Sequence, residues 1–287
     1  MLSAIVWDAS PVIFSLGPVS VRWYGLAFAI GFIVGYDIVS RMFRHEGAPE
    51  RWLGILLTYL VVATLVGSRL GHVFFYEWDY YSAHPSEILK IWEGGLASHG
   101  GTLANIIGLF IFSWCVSKKP ASWTFDKIVV PVALVAGLIR LGNLMNSEIY
   151  GTYTSLPWGF IFVRNGETLP AHPTQLYEAG CYFILFAVLM WMYWKRNAEE
   201  RPWLITGVFF IGIFLPRFLI EYIKNNQVES EYNLIAQYGM NLGQMLSIPF
   251  ILLGVFLVIW ALVHPRQHWD FPNRFAPEDS SSKASRK

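Results

Sequence analysis

The chain has 287 residues with a formal net charge of +1, and 54% of it is hydrophobic, 17% aromatic and only 14% charged. With a mean hydropathy of +0.42, this balance excludes an ordinary soluble domain, and no basic cluster is dense enough to make nucleic acid a partner. The apolar residues fall in separate blocks of about 20, the length of helix that crosses a hydrocarbon core. The expected class is therefore an all-α integral membrane protein, a bundle of seven transmembrane helices with short arm and loop elements, and not a barrel.

The first apolar run, Val12 to Trp23, lacks a basic leader and is broken by Pro18, so it reads as an interfacial segment and not as a cleaved signal peptide. Seven spans follow, over 24–42, 53–76, 97–116, 126–148, 174–195, 203–223 and 241–263. Gly31 and Gly35 form a small-xxx-small pair suited to a helix contact, and Cys115 and Cys181, inside apolar blocks, read as packing residues without a disulfide. The stretch 77–96 is acidic and aromatic, with Trp78, Tyr80, Tyr81 and Trp92 placed for a short arm at the headgroup level. The stretch 149–173 is turn-rich, and Phe160 to Val163 has strand character. From Asp270 onward the composition is that of a disordered tail.

Basic residues set the expected orientation. One set of loops carries Arg41, Arg44, Arg51, Lys118, Lys119, Lys127, Lys195, Arg196, Arg201, Arg266, Arg274, Lys283, Arg286 and Lys287, whereas the other side carries Arg22, Lys90, Arg164 and Lys224. The positive-inside rule then puts the N-terminus outside and the C-terminus in the cytoplasm. Arg69, Arg140 and Arg217 remain inside spans. An arginine at mid-span costs about 2.5–3.5 kcal/mol on insertion scales, so each needs a partner, a cavity or a ligand.

With that orientation the intramembrane polar groups gather at one depth, the outer half. Tyr24, Arg69, His72, His99, Thr102, Arg140, Asn143, Asn146, Gln175, Glu178, Arg217, Glu221, Asn241 and Gln244 all fall there, while the inner halves are almost wholly apolar. A channel or transporter needs polar groups at successive depths, so one outer-leaflet cavity fits better. Plainer readings stand beside this one. Arg217 and Glu221, at i and i+4, form a self-satisfied pair in one reading. Arg69, with His72 and Tyr76 at i+3 and i+7, either snorkels to headgroups or faces the cavity. Tyr24 is a belt residue or a cavity residue, and His99, among Gly94, Gly95, Gly100 and Gly101, is a packing histidine or one brought close to a ligand. His264 and His268 are spaced like a metal pair but lack a third ligand, so no metal is expected. An intramembrane protease is disfavoured because Gly67-Ser68, its nearest nucleophile setting, has no persuasive histidine partner.

Deep arginines with a carboxylate, amides and a histidine suit an anionic lipid headgroup. Arginine makes bidentate, charge-assisted bonds to phosphate that strengthen in a low dielectric, and a histidine can take a proton from a nucleophile. The residues alone indicate a phospholipid-using transferase or a phospholipid binder.

The segment Arg140-Leu-Gly-Asn-Leu-Met-Asn-Ser-Glu-Ile-Tyr-Gly151 resembles the signature of the bacterial prolipoprotein diacylglyceryl transferases. Val21 to Gly25, Gly94 to Gly101, His172-Pro-Thr-Gln-Leu-Tyr-Glu178, Arg217-Phe-Leu-Ile-Glu221 and Asn241 to Pro249 resemble further family segments in the same order, so the likeness covers about 12 to 263. The resemblance implies a single transmembrane catalytic domain over 1–269 with a cytoplasmic tail over 270–287, in the bacterial inner membrane with its active site toward the outer leaflet. It implies transfer of a diacylglyceryl group from phosphatidylglycerol to the lipobox cysteine thiol beside a prolipoprotein signal peptide, leaving a thioether and releasing glycerol 1-phosphate, with no cofactor and no covalent enzyme nucleophile. Carried over by motif, His99, Arg140 and Arg217 are the catalytic set, the arginines clamping phosphate and His99 serving as base or as an orienting group. Tyr24, Asn143, Asn146, Glu148, Gly151, His172, Gln175, Glu178, Glu221 and Gln244 bind substrate. Lys224 stands where many relatives are expected to have an arginine, which replaces a guanidinium fork by a point charge.

Overall fold

The computed structural model describes residues 4–17, 19–91, 94–225, 235–269 and 271. Pro18, Trp92 and the expected disordered tail, apart from Phe271, lie outside them. The described residues hold seven helices long and apolar enough to cross a membrane. They are α1 (Trp23–Glu46), α2 (Glu50–Phe75), α4 (Ser98–Phe112, continued by a π-helical turn Ser113–Ser117), α5 (Ala121–Met145), α6 (Thr174–Arg196), α7 (Leu204–Ile220, continued by a 3-10 turn Glu221–Ile223) and α8 (Leu242–Val263), with α3 (Trp78–Ala83) a single short turn in the arm. Every predicted span is covered by one of them. Ile33 is 70% and Phe256 60% exposed, as expected where hydrocarbon and not water surrounds the chain.

The ends differ from the sequence expectation in informative ways. α5 stops at Met145, short of the expected 148, because Ser147 and Ile149 take left-handed φ values of 55° and 61°. The expected interfacial run from Val12 is a hairpin, β2 (Val12–Leu16) antiparallel to β3 (Val19–Arg22), with Gly17 at φ 57° beginning its turn. The strand expected near Phe160 is present as β4 (Phe160–Phe162), paired parallel with β1 (Ile5–Trp7), and Leu144, Phe160, Phe162 and Ala171 form a small apolar cluster beneath it.

The chain forms two compact units. The first takes the residues up to Asp37 together with Phe125–Gln267. In it Gly31 meets Val135 and Gly35 meets Pro131, so the small pair does mark a helix contact, and Gly207 on α7 touches the backbone of Gly254 on α8. One buried carboxylate stands at the edge of a predicted span. Asp126, buried at the start of α5, accepts hydrogen bonds from Trp203 N at 2.7 Å, Thr206 N at 2.8 Å and Thr206 Oγ1 at 2.6 Å, and so supplies from another helix the cap that α7 lacks. Its neighbour Lys127, counted among the loop cations, is also buried.

The second unit takes Ile38–Thr124. Its centre is the contact of α2 with α4, where Gly67 and Gly71 face Gly100 and Ala104 so closely that a methyl group on Gly71 would lie 2.7 Å from the Gly100 Cα. Lipid tails are as apolar as side chains, so such contacts draw on close van der Waals fit and not on the hydrophobic effect. Asn105 adds a bond across them, donating to Thr64 Oγ1 at 2.8 Å. Gly100→Ala is expected to cost about 1–3 kcal/mol, as overpacking does, because the obstructing atoms belong to backbone. Gly54→Ala on α2, with nothing within 4 Å of the added methyl, is the control. Thermal unfolding in detergent should show a lowered midpoint for the first and none for the second.

Candidate functional site

The site in the first unit begins with the way α5 ends. Arg140 and Asn143 share a face of its last turns, and Gly142 leaves room for Tyr24, whose ring would lie 2.8 Å from any Cβ there. The chain then turns through Ser147 and Ile149 in the left-handed region, which a β-branched residue such as Ile149 rarely enters. Such strain costs about 1–3 kcal/mol and persists only where surroundings impose it. Here they do. Thr174 Oγ1 donates to Ile149 O at 2.8 Å, Gln175 Nε2 to Glu148 O at 2.6 Å, Asn165 Nδ2 to Ser147 O at 2.5 Å, and Glu148 N to Asn143 O at 3.1 Å. The Glu148 carboxylate is thereby folded back over the helix end, where it accepts from Asn143 Nδ2 at 2.7 Å and Asn146 Nδ2 at 3.1 Å.

A run of charges leads inward from this turn. Arg140 gives Nη1 to Asn143 Oδ1 at 3.3 Å and pairs through Nε with Glu178 Oε2 at 2.8 Å. Glu178, on the first turns of α6, is fully buried. Its other oxygen lies 3.6 Å from Lys224 Nζ, which in turn donates to Glu221 Oε2 at 3.2 Å. Behind Glu221, Asn241 and Gln244 close a capping box on α8, and Asn241 Nδ2 reaches Glu221 O at 3.4 Å. Lys224 is fixed through its backbone as well, in an antiparallel bridge with Gly151. Gly151 is glycine for a steric reason: a Cβ would run into Ile223 O and approach His172 and Thr174 to 2.8 Å.

Arg217 stands apart. Among the described residues its guanidinium has neither hydrogen bond nor ion pair, and Glu221 is turned to Lys224 instead, so the i, i+4 pair is not formed. Arg217 and Arg140 both lie within electrostatic reach of Tyr182, a buried tyrosine one turn beyond Glu178. Four polar atoms near this run are buried without a protein partner among the described residues: Asn146 Oδ1, Ser147 Oγ, Gln175 Oε1 and Gln244 Nε2.

The second unit carries His99, exposed at the start of α4, where it lines a cavity of about 270 Å³ with His72, Tyr76, Leu96, Ala97 and Ser98. His72 Nε2 lies 3.5 Å from Glu77 Oε2. Arg69 does not snorkel. It is 4% exposed and donates to the carbonyls of Glu87, Ile88, Gly94 and Gly95 at 2.6, 2.8, 2.7 and 3.3 Å, so it organises the arm.

The structure thus brings Tyr24, Arg140, Asn143, Asn146, Glu148, Gly151, Gln175, Glu178, Glu221 and Gln244 onto one connected set of contacts, with Arg217 beside it. His172 is turned elsewhere: its Nδ1 sits 3.2 Å from the Tyr177 hydroxyl, which also accepts from Trp158 Nε1 at 2.9 Å. One member, Tyr182, was missed from sequence; it lies at i+4 from Glu178, a spacing that puts both on one helix face. Lys224 was marked through the family resemblance and counted as a loop cation, but nothing in its neighbours marks it as buried.

Next to the site, the Glu167 carboxylate accepts from the Tyr150 hydroxyl at 2.6 Å and the Tyr153 hydroxyl at 2.7 Å, and these bonds hold its pKa below the ordinary carboxylate value. A depressed folded-state pKa contributes stability that is present above the unfolded value and is lost as pH falls through the folded one. Glu167 is largely solvated, so the effect is under about 1 kcal/mol. The stability difference between wild type and Glu167→Gln should be full at pH 7 and shrink below the usual carboxylate range; thermal melts across pH 3–7 check this.

The family model described as prolipoprotein diacylglyceryl transferase matches residues 11–260. A relative from Porphyromonas gingivalis is 49% identical over 271 residues, covering 91% of this chain and 96% of its own length. Relatives from Chloroherpeton thalassium, 45% identical with 89% and 94% covered, and from Tolumonas auensis, 44% identical with 89% and 96% covered, extend the likeness. All three are named phosphatidylglycerol--prolipoprotein diacylglyceryl transferase. The chain, a multi-pass membrane protein with seven spanning helices, belongs to the prolipoprotein diacylglyceryl transferase family.

Proposed function

We propose that this protein transfers the diacylglyceryl group of phosphatidylglycerol to the lipobox cysteine thiol of a prolipoprotein. The cysteine sulfur forms a bond to the glyceryl carbon, the bond from that carbon to a phosphate oxygen breaks, the thiol proton leaves, and glycerol 1-phosphate departs. The observation that carries this reading is two arginines within spanning helices, one tethered by a buried carboxylate and one without a side-chain partner among the described residues. Arg140 is held in place by Glu178 and Asn143, while Arg217 keeps its full charge available for a phosphate. In this reading both supply donors to a group whose negative charge grows as it leaves, which would stabilise the transition state more than the bound lipid.

The remaining roles follow from chemistry. Asn143, Asn146, Gln175 and Gln244 offer polar groups to a headgroup, and Tyr24 lines the same wall. His99 is the candidate base for the thiol, or the group that orients the peptide. The enzyme needs no covalent nucleophile, because thiolate attacks carbon directly. The N-terminus lies outside and the C-terminus in the cytoplasm of a bacterial inner membrane, with the site in the outer leaflet. Burial of Lys127 and Lys224 removes one cation from each side of the loop count, so the asymmetry behind this orientation survives.

Incubating the purified protein with phosphatidylglycerol and a lipobox peptide should shift the peptide mass by one diacylglyceryl group; a folded protein that produces no adduct would refute the proposal. Arg140→Ala should abolish transfer, by at least the 10²-fold typical of losing one preorganised donor, roughly 3 kcal/mol. Membrane insertion measured by fractionation should be unchanged, and turnover near the wild-type rate would make the arginine structural.

A further inference from the structure

We propose that Lys224 is a positioning residue of this enzyme, setting the place of Arg140 through Glu178; this rests on the transferase reading above. The argument starts from Glu178. It is fully buried on α6 and uses its two oxygens separately, one at 2.8 Å from Arg140 Nε and the other at 3.6 Å from Lys224 Nζ. A carboxylate shared in this way is oriented by both cations, since rotation toward one lengthens its distance to the other. Lys224 is anchored independently of Arg140. Its ammonium is also held by Glu221 at 3.2 Å. Its backbone is locked into extended geometry, φ −95° and ψ 145°, by the bridge to Gly151, with Thr152 N donating to Ile223 O at 2.8 Å and Asn225 Nδ2 to Gly151 O at 3.0 Å on either side.

The order of support therefore runs from the Gly151 segment to Lys224, from Lys224 to Glu178, and from Glu178 to Arg140. Lys224 ties the turn after α5 to the end of α7 and the start of α6, and the helices α5, α7 and α6 bear Arg140, Arg217 and Glu178. With both carboxylate contacts committed, its ammonium is not needed to touch substrate. Its place is consistent with an ammonium's compact charge, which can lie between two carboxylates without the planar fork of a guanidinium. If a neighbour's loss lets Arg140 drift by about 1 Å, the chemical step can fall by about 10²-fold.

The test uses the full-length protein in phosphatidylglycerol nanodiscs with a lipobox peptide, following adduct mass under saturating and limiting lipid, with thermal unfolding as the fold check. Wild type must form the adduct; its failure would sink the transferase reading itself and is thus separable from the outcomes below. K224M paired with E221Q removes one buried cation and one buried carboxylate together, so the charge balance that folding needs is kept. We expect it to melt near wild type with kcat down by about 10²-fold and KM for lipid little changed. K224R, which keeps the charge, should keep rate and fold within about fivefold, on the order of 1 kcal/mol. If Lys224 acts through Glu178, adding K224M to E178Q should cost little beyond E178Q alone. A K224M/E221Q variant that turns over like wild type would reduce Lys224 to a counter-ion of Glu221. A loss confined to KM, a folded but inactive K224R, or additive losses with E178Q would each overturn the proposal. Should the neutral variants not fold, the K224R rate and the lipid KM still decide it.

Discussion

One buried carboxylate, Glu178, constrains the first unit more than any other group. An ionised carboxylate taken out of water without partners costs several kcal/mol even after relaxation, so the fold can hold Glu178 only where cations come to it. They come from two directions in the chain. Arg140 reaches it from the end of α5 and Lys224 from the residue after the α7 extension. The consequence is geometric: α5 must end facing the first turns of α6, and α7 must release its chain into an extended path at the same level. The left-handed turn at Ser147 and Ile149 and the absence of a side chain at Gly151 serve that convergence.

The charges also balance in a way that bears on the ligand. Glu148, Glu178 and Glu221 stand against Arg140, Lys224 and Arg217. Within a low-dielectric surround an excess charge is costly, so near-neutrality in the absence of substrate is what stability demands. Yet the pairing is uneven. Lys224 divides itself between two carboxylates, Arg140 is engaged by Glu178 and Asn143, and Glu148 is satisfied by amides instead of a cation. Arg217 has neither hydrogen bond nor ion pair among the described residues. A neutral site that contains an uncommitted guanidinium favours a single anionic group over a dianion or a second cation, and a phosphodiester headgroup is such a group.

Much of this was legible in the chain because the bilayer simplifies the reading. Apolar blocks of about 20 residues find no other use than spanning, so seven helices could be placed and the arginines inside them recognised as anomalies. Gly31 and Gly35 were read as a contact and are one. What escaped was set by distant backbone. The carbonyls of Glu87, Ile88, Gly94 and Gly95 that absorb Arg69 have no sequence signature, since any residue supplies a carbonyl. Lys224 looked like a loop cation because its burial depends on a bridge to Gly151, more than 70 residues away. The end of α5 was placed too late because Ile149, unlike glycine, gives no sign of a left-handed turn. Asp126 was read as the edge of a span, and only the arrival of the α7 start reveals it as that helix's cap.

The tether on Arg140 explains why a costly arrangement is retained. A long, flexible arginine at that depth could swing its charge toward the headgroup region and lower its own free energy. Glu178 at Nε and Asn143 at Nη1 oppose this by holding the guanidinium at two of its nitrogens. In the transferase reaction proposed above, a guanidinium held in this way needs little reorganisation when charge develops on a leaving phosphate. That is the difference between a group that binds an anion wherever it finds one and a group that favours charge at a fixed point. The same tether makes Arg140 poor at searching for a lipid, a task that falls to a cation without partners. In the reaction proposed above Arg217 would have that freedom, and the two arginines would divide capture from chemistry along the line on which their carboxylate contacts differ.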